Sequence, residues 1–141
     1  MSPVKDESVL YVEDDESDRY FMRRAFSALG LDARLRMVTD GGLAVDYISG
    51  QGNFADRTAH PAPRLVVLDL NLPEISGFEV LGWIRQSPSY AALPVVIFSS
   101  SAREEDREKA LSLGANDYLE KPNSGLKYCE VVASLRDKWL A

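Results

Sequence analysis

The chain has 141 residues, of which 45% are hydrophobic and 27% charged, and its formal net charge at pH 7 is -6. This composition is typical of one globular domain, and the acidic balance does not favour a nucleic-acid-binding surface. No apolar run approaches the roughly 20 residues of a membrane-spanning helix, and the polar residues 1–7 carry no signal-peptide pattern. The single cysteine, Cys129, excludes an intrachain disulfide. We therefore expect a cytoplasmic, acidic single domain with a flexible N-terminus over residues 1–7.

Three short apolar runs predict strands that are buried on both faces. They are Val9–Val12, Leu65–Leu68 and residues 95–98, and none of them alternates with polar residues. Two weaker candidates are residues 34–38, which alternate, and Asp117–Glu120, which lies between a glycine and a proline. The sequence thus predicts five strands.

Helical patterns lie between these strands. Apolar residues recur at helical spacing from Phe21 to Leu29, and Gly30 follows as a predicted C-cap. A shorter helix is predicted over residues 42–49. Residues 51–63 contain a glycine and two prolines and are predicted to form an extended surface loop.

Two tetrapeptides match the capping box that starts a helix. One runs from Ser76 to Glu79 and the other from Ser101 to Glu104, and we expect the second helix to end at Leu113. The last helix is predicted to start at residue 123 or 124. Its buried side is predicted to carry Cys129, Val132, Ala133, Leu135 and Trp139.

Strands and helices alternate five times, which predicts a doubly wound α/β domain with a five-stranded parallel sheet and helices on both faces. Ligands of such a sheet bind at the carboxyl ends of the strands. Polar residues follow the strands there: Glu13, Asp14 and Asp15; Asp69; Ser99, Ser100 and Ser101; and Lys121. Clustered carboxylates repel one another, and Mg²⁺ relieves this because it favours carboxylates, water and phosphate as ligands. The set is typical of a Mg²⁺-assisted phosphoryl acceptor with Asp69 as the nucleophile.

Each of these residues also has an ordinary structural interpretation. The acidic run after the first strand suits a helix N-terminus, and Asp69 suits a turn. The serines suit helix caps, Lys121 an exposed loop, and Tyr118 the filling of a strand. Their joint placement at one edge of the sheet is what favours the functional interpretation.

From about Ser8 to its C-terminus the chain resembles the receiver domain of two-component response regulators. The matching segments are residues 12–14, 68–73 with 76–77, 94–99 and 118–122. Ser99 lies 30 residues after Asp69, and Lys121 lies 22 after Ser99, as in the chemotaxis member of the family. The resemblance implies the flavodoxin-like strand order 2-1-3-4-5 and a signalling protein that catalyses only its own phosphoryl uptake and loss.

The resemblance also implies a role for each acidic residue and its neighbours. Asp69 would accept the phosphoryl group from a histidine kinase. Asp14 would bind Mg²⁺ directly, Glu13 would bind it through water, and the backbone carbonyl of Asn71 would complete the protein ligands.

Further residues would contact the phosphoryl group or respond to it. Ser99 and Lys121 would each contact a phosphoryl oxygen, and the rotamer of Tyr118 would follow the movement of Ser99. The peptide bond before Pro122 is expected to be cis, aiming Lys121 inward. The switching face would comprise the fourth helix, the fifth strand and the fifth helix.

Subtype features resemble the small regulators of phytochrome-type histidine kinases. They are the extended loop before the third strand, the Leu-Asn-Leu-Pro turn and Trp139. We therefore expect a stand-alone receiver over residues 1–141 with no output domain, a phytochrome-type kinase as partner, homodimer formation and an unknown downstream protein.

Two alternatives stay open at this point. A Mg²⁺-dependent phosphatase with an aspartyl nucleophile normally needs an acid two residues later, where Asn71 stands. A receiver-like binding module that never takes phosphate would not need the intact set of Asp14, Asp69, Ser99 and Lys121. A nucleotide-binding domain is disfavoured because no glycine-rich loop follows the first strand. His60, in the predicted loop, is expected to face solvent.

Overall fold

The computed structural model describes residues 8–140, and the predicted flexible segment 1–7 lies outside them. Five parallel strands form one sheet in the order 2-1-3-4-5, which confirms the predicted fold. The strands are β1 (Val9–Val12), β2 (Leu35–Val38), β3 (Leu65–Leu68), β4 (Val95–Ser99) and β5 (Asp117–Glu120).

Five α-helices connect and follow the strands. They are α1 (Glu16–Ala28), α2 (Gly41–Ser49), α3 (Gly77–Gln86), α4 (Glu104–Ser112) and α5 (Tyr128–Leu135). Short 3₁₀ turns occupy Asp32–Arg34, Gly52–Phe54 and Gly125–Lys127, and a π-helical turn at Arg136–Leu140 follows α5. Every helix within residues 8–140 is too short or too polar to span a lipid bilayer.

The three central strands β1, β3 and β4 carry continuous apolar runs because successive side chains point to opposite faces, both of which are covered. One face packs against α2, α3 and α4, and the other packs against α1 and α5. The buried strand residues of the first face are Leu10, Val12, Val38, Val66, Leu68, Val95, Ile97 and Tyr118. Those of the second are Val9, Tyr11, Leu65, Val67, Val96 and Phe98.

The register of the sheet brings the strand ends together. Val12 of β1 pairs with Leu68 of β3, so the residues that follow, Glu13 and Asp69, start from the same level. The Asp69 N–H donates to the Val12 carbonyl at 3.2 Å, which extends the pairing by one residue. Both acidic residues are therefore placed by the backbone ladder itself.

The capping box at α3 forms as predicted, whereas the prediction of a capping box at α4 was wrong. Ser76 Oγ accepts from the Glu79 N–H at 3.2 Å, and the Glu79 side chain accepts in return from the Ser76 N–H. The Ser101 hydroxyl accepts from the Arg103 N–H at 3.2 Å and donates to Asp106 at 2.6 Å. The N-cap of α4 is Arg103, and the helix begins only at Glu104. The helix then ends at Ser112, one residue before the predicted end.

The last helix also begins later than predicted. Ser124 caps the 3₁₀ turn, with its hydroxyl accepting from the Leu126 N–H at 3.3 Å, and α5 starts only at Tyr128. The buried residues of this helix are Tyr128, Val132 and Leu135, which confirms the prediction for Val132 and Leu135. The predicted Cys129, Ala133 and Trp139 are half-buried.

The predicted surface loop has more internal packing than expected, and the solvent-facing assignment of His60 was wrong. The imidazole is half-buried and lies edge-on to the rings of Tyr47 and Phe54, with centroids 6.0 and 5.2 Å away. Arg57 donates to the Tyr47 and Ile48 carbonyls at the C-terminus of α2 at 2.8 and 2.7 Å. These contacts fold the loop back onto α2.

Candidate functional site

Three carboxylates meet at the carboxyl edge of the sheet. Glu13, Asp14 and Asp69 each offer an oxygen that lies within 4.8 Å of the other two. Glu13 and Asp69 are buried, while Asp14 is exposed. The structure therefore brings together three of the four carboxylates that the sequence placed at the ends of β1 and β3, whereas Asp15 caps α1 and accepts from the Asp18 N–H at 3.1 Å.

A lysine from the far end of the chain joins this cluster. Lys121 Nζ lies 2.6 Å from Glu13 Oε1 and 3.4 Å from Asp69 Oδ2, and its side chain is 10% exposed. Its backbone N–H donates to the Ser99 carbonyl at 2.7 Å, which holds the lysine beside the end of β4. The ammonium thus faces both buried acids at once.

The prediction of a cis peptide bond before Pro122 was wrong, because residues 8–140 contain no cis peptide bond. Lys121 reaches the cluster without it. The backbone bond to Ser99 orients the residue, and its four-carbon side chain spans the remaining distance.

The structure adds an acidic residue that sequence reasoning missed. Asp18 Oδ2 accepts from Lys121 Nζ at 2.8 Å, and its other oxygen accepts from the Tyr128 hydroxyl at 3.0 Å. The available signal was its position in the first turn of α1, directly after the acidic residues that follow β1.

The charges in this site shift one another's protonation. Burial raises the pKa of the Glu13 carboxyl to about 7; the hydrogen bond from Lys121 opposes the shift and the charge of Asp69 adds to it. Burial lowers the pKa of Lys121. The hydrogen bonds to Asp18 and Glu13 and the charge of Asp69 raise it by more, so the net pKa is raised and the ammonium stays charged. Burial and the charge of Glu13 raise the pKa of Tyr11, whose hydroxyl donates to Glu13 at 3.1 Å.

The donor set of this site fits a divalent cation. One ammonium faces three carboxylates, those of Glu13, Asp18 and Asp69, which leaves an excess of negative charge. The cluster of Glu13, Asp14 and Asp69 offers only oxygen ligands, the type that hard cations such as Mg²⁺ and Mn²⁺ prefer.

The loop after β3 wraps around Asp69. The Asn71 N–H points to Asp69 Oδ1 at 3.4 Å, and the Asn71 side chain is exposed. Gly77 begins α3 so close to this loop that a Cβ there would lie 2.1 Å from the Asp69 carbonyl oxygen. Only glycine permits this approach, so α3 and the acidic strand end are packed as one unit.

A hydrogen-bond chain leads from the edge of the sheet towards α4. Ser99 is buried, and its hydroxyl accepts from the Ser101 N–H at 3.1 Å. The Tyr118 hydroxyl donates to the Ser101 carbonyl at 2.9 Å, and the Tyr118 side chain is buried. Arg107 of α4 lies over the Tyr118 ring and donates to its carbonyl at 3.2 Å.

Comparison with protein families identifies the class of this molecule. The family model described as the response regulator receiver domain matches residues 9–133. The chain belongs to the response regulator receiver family. Members of this family are signalling proteins, and the match covers the whole sheet and the edge at which the carboxylates and the lysine meet.

Individual relatives extend this result over nearly the full length of the receiver. The probable methanogenesis regulatory protein FilR2 of Methanothrix harundinacea is 35% identical over 94% of this chain and 83% of its own length. Response regulator Rcp1 of Synechocystis is 32% identical over 94% of this chain and 88% of its own length.

Two solved structures share the fold closely. The Mn²⁺-bound form of Rcp1 has a TM-score of 0.83 and 31% identity, covering 95% of this chain and 94% of that one. The phosphorylated cyanobacterial phytochrome response regulator RcpA has a TM-score of 0.87 and 30% identity, covering 96% of this chain and 94% of that one.

Proposed function

We propose that this receiver accepts a phosphoryl group on Asp69 from a histidine kinase in a Mg²⁺-dependent reaction. The observation that carries the proposal is the shared site of Asp69, Lys121 and the acidic cluster at the end of the sheet. An Asp69 oxygen would attack phosphorus, the phosphorus–nitrogen bond of a phosphohistidine would break, and its electron pair would leave with the imidazole. The product is an acyl phosphate on Asp69.

The chain's own residues would position and stabilise this transfer. Lys121, 3.4 Å from Asp69 Oδ2, supplies a positive charge where the phosphoryl oxygens would collect. The Asn71 N–H restrains the other Asp69 oxygen, and Ser99 offers a hydroxyl for a phosphoryl oxygen. Glu13, Asp14, Asp69 and the Asn71 carbonyl would hold Mg²⁺, which when bound would neutralise the negative charge of the transferred group.

The response to phosphate would pass from Ser99 to α4 along the chain of hydrogen bonds described above. A phosphoryl group adds nearly two negative charges and strong hydrogen-bond acceptors. Ser99 would turn to meet it, and the bond between Tyr118 and Ser101 would couple that movement to the face formed by α4, β5 and α5. Because Tyr118 is already buried, we infer that phosphate stabilises this arrangement rather than creating it.

The finer proposals concern partners. Likeness to Rcp1 and to the phytochrome response regulator RcpA supports a phytochrome-type kinase as phosphodonor. The exposed Leu111 and Leu113 at the C-terminal end of α4 support a homodimer or a downstream partner on the face formed by α4, β5 and α5. Phosphate transfer from purified candidate kinases would test the first proposal, and light scattering the second.

The acceptor is tested by labelling. With Mg²⁺ and acetyl phosphate, the wild-type protein should take up one equivalent of hydroxylamine-sensitive phosphate, and Asp69→Asn should take up none, because an amide is a far poorer nucleophile than a carboxylate. Circular dichroism would verify the fold of the variant. Equal labelling of the variant would contradict the assignment of Asp69, and continuous hydrolysis of a phosphomonoester would favour a phosphatase.

A further inference from the structure

The ammonium of Lys121 is held by more groups than charge balance requires. Glu13 and Asp69 already place two negative charges beside it, at 2.6 and 3.4 Å. Asp18 adds a third at 2.8 Å, which makes an over-acidic site more acidic and increases the repulsion among its carboxylates. A contribution other than neutralisation is therefore needed to explain why Asp18 faces inward.

Geometry supplies that contribution. A lysine ammonium has three N–H donors, and two of them are engaged in short bonds to Glu13 and Asp18. The third contact, to Asp69, is longer at 3.4 Å. With two donors held, the rotation of the ammonium is fixed and one donor is left to face the acceptor.

Asp18 is itself held from a second side. Its Oδ1 accepts from the Tyr128 hydroxyl at 3.0 Å while its Oδ2 accepts from Lys121, so each oxygen has its own donor. The Tyr128 ring is buried between Phe21 of α1 and Phe98 of β4, with centroids 5.6 and 5.5 Å away. The carboxylate is thus clamped to a packed aromatic cluster that joins α1, β4 and α5.

We propose that Asp18 is a positioning residue, clamped by Tyr128, that holds the Lys121 ammonium so that one donor faces the oxygen of Asp69 where the phosphoryl group arrives. This inference rests on the proposed phosphorylation of Asp69 and extends it to a residue outside the acidic cluster. Without Asp18, the ammonium is free to fold fully onto Asp69 and to pair with the nucleophile.

The test compares Asp18→Ala with Glu16→Ala, because Glu16 is an exposed acid of the same helical turn. Both variants lose one negative charge from the first turn of α1. If Asp18 affected labelling only through its charge, both variants would take up the phosphoryl group from an anionic donor as fast as the wild type or faster. If Asp18 positions Lys121, the maximal labelling rate of Asp18→Ala at saturating acetyl phosphate and Mg²⁺ should be about tenfold lower than that of the wild type, a loss typical of a misplaced group.

Two further measurements separate positioning from general damage. Tyr128→Phe, which keeps the ring and removes only the hydroxyl, should slow labelling in the same direction by a smaller factor. Urea unfolding should show that the variants remain folded, and the ¹⁵N resonance of the Lys121 ammonium should move in Asp18→Ala but not in Glu16→Ala.

The outcomes distinguish this inference from the function on which it rests. A maximal rate for Asp18→Ala within twofold of that for Glu16→Ala would overturn the positioning role. If neither the wild type nor Glu16→Ala is labelled at all, the proposed phosphorylation itself fails.

Discussion

α3 and α4 pack on the same side of the sheet but are attached to it in different ways. α3 begins with a complete capping box, lies against the Asp69 loop at Gly77, and buries Val80, Leu81 and Ile84. α4 has no side-chain cap, and Ala110 is its only buried residue. We infer that α3 belongs to a rigid support for the acidic site and that α4 is the more weakly held of the two.

Two polar contacts of α4 lead towards the site, and a third, from Lys109 to the Phe78 ring at 4.3 Å, leads to α3. Ser101 bonds to Asp106 in the first turn of α4, and Arg107 bonds to the carbonyl of Tyr118. An element that has few buried apolar contacts and only a small number of polar contacts is expected to have low local stability. Such an element can respond to a change at Ser99 while α3 stays in place.

The largest expected effect tests the attachment of the two helices directly. Leu81→Ala in α3 should lower the free energy of unfolding by about 2–5 kcal/mol, because it leaves a cavity in the core. Leu111→Ala in α4, where the side chain is 42% exposed, should change it by no more than about 0.5 kcal/mol. Urea unfolding measures both, and equal losses would contradict the comparison.

The next prediction concerns the charges in the rigid region. The pKa of Glu13 is raised to about 7 from 4.5, so between these values the folded protein holds a proton that the unfolded chain has lost. This contribution to stability therefore falls as pH rises from about 4.5 to about 7, by up to roughly 3 kcal/mol, and is constant above that range.

Urea unfolding of chelator-treated protein across this pH range measures the effect. Glu13→Gln should be stabilised relative to the wild type at pH 8 and much less so at pH 5. Glu108→Gln, which changes an exposed acid of α4, serves as the matched control and should follow the wild type. An unchanged pH dependence in Glu13→Gln would show that Glu13 ionises freely in the folded protein.

The smallest effect concerns the tether of α4. Ser101→Ala removes the hydroxyl that bonds to Asp106 and should cost about 0.5–1.5 kcal/mol. Amide hydrogen exchange in the first turn of α4 should become faster, while exchange in α3 should not change. Ser112→Ala is the control, since that hydroxyl bonds only to Lys109 within the same helix end. Equal exchange in both variants would mean that Ser101 does not tether the helix.

Local patterns predicted the parts of the fold that local physics determines. Buried strands of a parallel sheet must be apolar on both faces, so Val9–Val12 and Leu65–Leu68 could be recognised without a structure. The Ser76 capping box formed as the local pattern predicts, with the Ser76 hydroxyl accepting from the Glu79 N–H. At Ser101 the hydroxyl accepts from the Arg103 N–H and donates to Asp106, contacts that the four residues of the pattern do not show.

The roles of the site residues follow from the family resemblance and stay predictions. The placement of these residues has a physical basis, partly in the sequence and partly in the tertiary structure. The sequence determined that acids follow β1 and β3 and that a lysine follows β5, since residues after buried parallel strands must emerge at one edge. Only the tertiary structure decided that Asp18 turns inward and that Tyr128 clamps it, because α1 and α5 meet through side chains 110 positions apart. No local pattern encodes a contact over that separation, since it depends on how two helices pack on the same face of the sheet.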